Sequence, residues 1–159
     1  MNSGFVVLLL ALGIGLVAGL RSLTAPAVVA WAAHIGWINL HGSPLGFMGS
    51  VWAVGVFIVL ALVELVADQL PNTPSRTAPV GLSVRIVTGA LSGACLAIAG
   101  GAAPWLGALA GSCGGIGGAF AGYQARVGLV RALRVPDFAI AVPEDLVAVG
   151  LGLFLVSRF

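Results

Sequence analysis

Glu64 and Asp68 stand four residues apart in an otherwise apolar stretch, a spacing that puts both carboxylates on one face of a helix. An ionisable group inside an apolar helix is costly to keep there. Glu64, about a turn inside the expected helix end, is therefore the first candidate for binding a proton or cation. Arg85, early in the next apolar segment, is a candidate counter-charge. Glu144 and Asp145 form a second acidic pair. At the start of a helix the dipole alone would favour them; gathered with Glu64 and Asp68 they could coordinate a divalent cation such as Mg²⁺ or Ca²⁺. Arg21 and Arg76 precede helix starts and are candidates for holding a phosphate, a carboxylate or a lipid headgroup.

Other reactive residue types give weaker signals. His34 and His41 lie seven apart with no acid or cysteine nearby, a poor metal pattern. Cys95 and Cys113 fall inside apolar segments and read as small buried residues. No nucleophile elbow, phosphate loop or zinc-protease motif occurs, and the many Gly-x-Gly matches lack the strand context such loops need. No cofactor is expected, and nothing resembles a nucleic-acid footprint.

The elements that must position these residues belong to a membrane protein. The chain has 159 residues, 60% hydrophobic and only 8% charged, where a soluble domain carries about 25% charged residues. A core of this size cannot hide so much apolar surface, so the bilayer is the expected solvent. Six apolar segments can be marked: Gly4–Leu20, Thr24–Leu40, Phe47–Ala67, Val80–Ala102, Pro104–Tyr123 and Ala139–Ser157. They predict one all-α membrane domain over residues 1–159 with about six transmembrane helices. Six of the seven arginines then fall at one face and only Arg158 at the other. By the positive-inside bias the crowded face is cytoplasmic, with both termini on the opposite side. The expected location is a bacterial inner membrane. Trp31, Trp37, Trp52 and Trp105 fit interfacial belts.

Glycine is the second organising feature. Gly89, Gly93, Ala97 and Gly101 recur at spacing four, as do Gly107, Gly111, Gly115 and Ala119, and small residues so spaced let helix backbones approach closely in lipid. Folding about Pro104 predicts a tight antiparallel hairpin that pairs Gly93 with Gly115 and Gly89 with Ala119, with Cys95 level with Cys113. A second stripe, Gly114, Gly118 and Gly122, is left for another helix or a second copy, and a homo-oligomer is expected.

Three elements, Gly15 to Ser22 (GLVAGLRS), Glu64 to Pro71 (ELVADQLP) and Glu144 to Ala148 (EDLVA), occur in that order. Together they resemble a family of small bacterial integral-membrane proteins catalogued only as a domain of unknown function. The resemblance implies a membrane location and a helical fold, and it marks Glu64, Asp68, Glu144 and Asp145 as the positions to test. The expected function is a carrier or channel for an ion or small polar solute, working with the lipid bilayer as its partner. A metal-dependent enzyme acting on lipid headgroups and a non-catalytic scaffold are the alternatives; catalysis is the less favoured.

Overall fold

The computed structural model describes residues 3–68, 77–134 and 136–159. Among them the chain forms six α-helices and one short 3-10 helix, with no strand. They are α1 (Ser3–Leu20), α2 (Thr24–His34), α3 (Val51–Ala67), α4 (Pro79–Ala99), α5 (Pro104–Leu133) and α6 (Asp137–Val156), with the 3-10 turn Gly46–Gly49 between α2 and α3. Two of them, α4 and the Ala139–Val156 part of α6, are long and apolar enough to cross a membrane; Gly4–Leu20 and Val51–Ala67 are shorter apolar helices.

Local chemistry accounts for several helix starts. Pro79 and Pro104 open α4 and α5 in the first turn, where the missing N–H had no helical partner. Ser50 caps α3 by accepting a hydrogen bond from the Ala53 amide at 3.1 Å. Three boundaries differ from the sequence reading. α2 ends at His34 instead of Leu40, because Gly36 takes a left-handed φ of 81° and turns the chain. The apolar residues Ile38 and Leu40 are still buried, but in a loop. α5 runs ten residues beyond Tyr123, to Leu133. α6 begins at Asp137, so Pro143, Glu144 and Asp145 lie inside the helix and the dipole at its start cannot be what places the two acids.

The centre of the bundle is α1, α4 and α5, packed backbone on backbone. A methyl group on Gly93 would strike the Gly107 carbonyl, and one on Gly111 the Gly89 carbonyl. The expected hairpin is present in a different register: Gly93 meets Gly107, Gly89 meets Gly111, and Gly115 lies against Arg85, where a Cβ would come within 2.7 Å of its carbonyl oxygen. Cys95 is buried while Cys113 is exposed, so the two are not level partners. The second stripe is occupied within the chain: Gly114 and Gly118 lie against Leu12, Leu16 and Gly19 of α1. α2 and α6 close the remaining side through Val28, Val29, Leu155 and Val156.

This up-and-down order gives the molecule two unlike ends. The α1–α2 turn, the end of α3 and the start of α4 share one of them. At the other lie Trp31, Trp37, Trp52 and Trp105, all of them exposed.

Candidate functional site

Arg21 follows the last residue of α1, and its amide still closes that helix on the Val17 carbonyl at 2.8 Å. Small residues on α5 let α1 pack so closely that the Arg21 side chain has no solvent-accessible surface. A guanidinium in that position needs carboxylates. It has two: Nη1 donates to Asp68 Oδ2 at the end of α3, and Nε donates to Asp145 Oδ1 of α6 at 2.5 Å. Nη2 is buried with no hydrogen-bond partner among the described residues.

Glu64 serves the adjoining turn. Leu23, at the N-cap of α2, offers no side-chain cap, so the first amides of that helix need an outside acceptor. Glu64 supplies it from α3. Its Oε1 accepts from the Ser22 amide at 2.8 Å and the Ser22 hydroxyl at 2.5 Å, and its Oε2 accepts from the Leu23 amide at 2.8 Å. A carboxylate at this position also meets the positive end of the helix dipole. Arg85 lies beside it, with Nη2 3.9 Å from Glu64 Oε1. Its Nε donates to the Gly19 carbonyl at 3.1 Å and its Nη1 to the Gly81 carbonyl at 2.9 Å. One buried polar knot thus ties α1, α2, α3, α4 and α6 at a single end of the bundle.

The structure brings Glu64, Asp68, Asp145, Arg85 and Arg21 together. Glu144 pairs with Arg126 of α5 at 3.6 Å. Arg76 lies outside the described residues. Arg21 is enclosed by protein and partners carboxylates. The four carboxylates do not gather into a metal cage: no group of three or more His, Cys, Asp or Glu side chains among the described residues is placed to hold an ion. Both histidines belong to the tryptophan end, where His34 Nδ1 lies 3.0 Å from the Gly49 carbonyl oxygen.

Sequence reasoning missed Ser22, which binds Glu64 through both its amide and its hydroxyl, and the Gly19 carbonyl that receives Arg85. The one available signal was proximity, since both flank Arg21 in the GLVAGLRS run. Chemically the knot sets two carboxylates on one buried guanidinium and caps the first amides of α2 with a third.

Residues 8–157 match the model of the family described as domain of unknown function DUF4126, and the chain belongs to that family. The resemblance carried by the three sequence elements is thereby borne out. No curated protein and no solved structure matches the chain.

Proposed function

We propose that this protein is a multi-pass inner-membrane carrier or channel for an ion or small polar solute, with its acidic site at the cytoplasmic end. The observation that carries the reading is the fully buried Arg21 held between Asp68 and Asp145 from two different helices. Ionisable groups enclosed in an apolar helical bundle are costly and recur at ion and solute pathways. The surroundings support it: large apolar side chains such as Trp52, Val63, Val80 and Leu146 are exposed around the outside, as a lipid-facing surface requires. With six helices crossing the bilayer, the arginine distribution supports both termini on the outer side.

Proteoliposomes containing the full chain and an internal pH-sensitive dye test the role of Glu64. Under an imposed potassium gradient the parent protein should pass protons, and Glu64→Gln should pass far fewer while remaining monodisperse in detergent. Equal flux from both, with the same pH dependence, would exclude Glu64 as the transport site.

A further inference from the structure

α5 is longer than a bilayer is thick. Its 30 residues extend about 45 Å, against about 30 Å of hydrocarbon. Trp105 and Tyr123, both exposed, stand about 27 Å apart along its axis. Aromatic rings at that separation fit the two interfaces of one membrane. The helix from Gln124 to Leu133 then continues beyond the second interface.

Two faces of α5 differ along its length. Gly107, Gly111 and Gly115 meet α4, and Gly114 and Gly118 meet α1. On the opposite side Leu109, Ile116, Phe120 and Tyr123 are exposed, at helical spacings that keep them on one stripe. Arg131 lies eleven positions after Phe120 and Arg134 eleven after Tyr123, three helical turns in each case. Both arginines are exposed and continue the outward stripe. The other arginines at this end serve the interior: Arg126 turns to Glu144 of α6, and Arg21 and Arg85 are buried. Among the described residues no carboxylate pairs with Arg131 or Arg134. Arg134 also holds a left-handed φ of 53° at the C-cap of α5, a place that favours glycine. An arginine there is strained relative to glycine, so backbone conformation does not select it.

We propose that Arg131 and Arg134 form a docking site for the phosphate of an anionic phospholipid whose acyl chains lie along Phe120 and Ile116. Side chains three apart on a helix lie about 5–6 Å from each other, close enough for two guanidinium forks to bracket one phosphate. Arg131 is about 12 Å beyond Tyr123 along the axis, while the headgroup layer is about 5–8 Å thick. Its long apolar stem folds back toward the membrane and sets the charge at phosphate depth. A zwitterionic lipid brings its own cation beside the arginines, so a net negative headgroup is preferred. Near an anionic surface each arginine strengthens binding about fivefold. The site rests on the membrane placement proposed above and not on transport, and it would operate in a protein that carries no solute.

Native mass spectrometry of the full chain in neutral detergent reads the site. With equal amounts of phosphatidylglycerol and phosphatidylcholine added, the parent should retain phosphatidylglycerol in preference. Arg131→Gln combined with Arg134→Gln should lower that retention roughly twentyfold and leave phosphatidylcholine unchanged. Arg158→Gln, at the opposite end, should keep the parent's preference. Equal retention of both lipids by the parent would overturn the site, as would an undiminished preference in the double variant. If the double variant does not stay monodisperse, Arg131→Gln alone decides, with an expected loss of about fivefold. Alkaline carbonate washing separates the two levels of failure. A parent chain washed out of membranes would overturn both the membrane placement and the site, whereas a chain that stays in the pellet without lipid preference would overturn the site alone.

Discussion

Removing the Arg21 side chain would leave Asp68 and Asp145 facing each other without a cation in a site that is 16% and 14% exposed. Breaking a largely buried pair in this way costs ~3 kcal/mol or more. Arg21→Ala should therefore lower stability by about that amount in detergent unfolding. Arg21→Lys should recover little of it, because one ammonium cannot aim separate N–H groups at two carboxylates. An Arg21→Lys variant as stable as the parent would contradict the two-carboxylate geometry. Glu64, Asp68, Asp145 and Arg85 were all legible as candidates, since each is an ionisable residue in an apolar setting. Their arrangement around Arg21 was not. Its partners lie 47 and 124 positions away, and a single sequence carries no register between helices so far apart. Ser22 was illegible for a different reason: a hydroxyl at a helix junction is ordinary until an outside carboxylate is known to reach it.

At the scale of the helix, glycines divide by what surrounds them. Gly93 and Gly111 face carbonyl groups of the neighbouring helix, whereas Gly55, Gly128 and Gly150 have open space where a side chain would begin. Gly93→Ala or Gly111→Ala should force α4 and α5 apart at a cost of about 1–3 kcal/mol. Gly55→Ala and Gly150→Ala should be neutral, or stabilise by up to about 1 kcal/mol through higher helix propensity. Thermal unfolding of the four variants in one detergent checks the contrast, and a uniform response would count against backbone contact at the centre. The hairpin itself was readable from the spacing. Its register was not, because small residues repeating every four positions remain matched after a slip of one or two turns. In the register observed, Gly115 lies against the backbone carbonyl of Arg85. The early stop of α2 escaped the reading for a related reason. Hydropathy registers that Ile38 and Leu40 are buried, not whether the backbone burying them is helical. Similarly, the polar change at Gln124 marks where apolar surroundings end, and α5 continues past it.

The whole molecule is a polar knot at one end, exposed tryptophans at the other, and apolar surface between. If the arginine-rich end is cytoplasmic, alkaline phosphatase fused after Phe159 should be active in bacteria, and a fluorescent protein at the same place should stay dark. The reverse pattern would invert the proposed topology. The knot has a further consequence, for the order of events during synthesis. Arg21 leaves the ribosome 47 residues ahead of Asp68 and 124 ahead of Asp145. Until α6 is made, the newborn chain carries a cation whose final enclosure does not yet exist. In the proposed topology Arg21 therefore stays wetted near the interface until α6 delivers Asp145. α6 thereby closes a site that α1 opens.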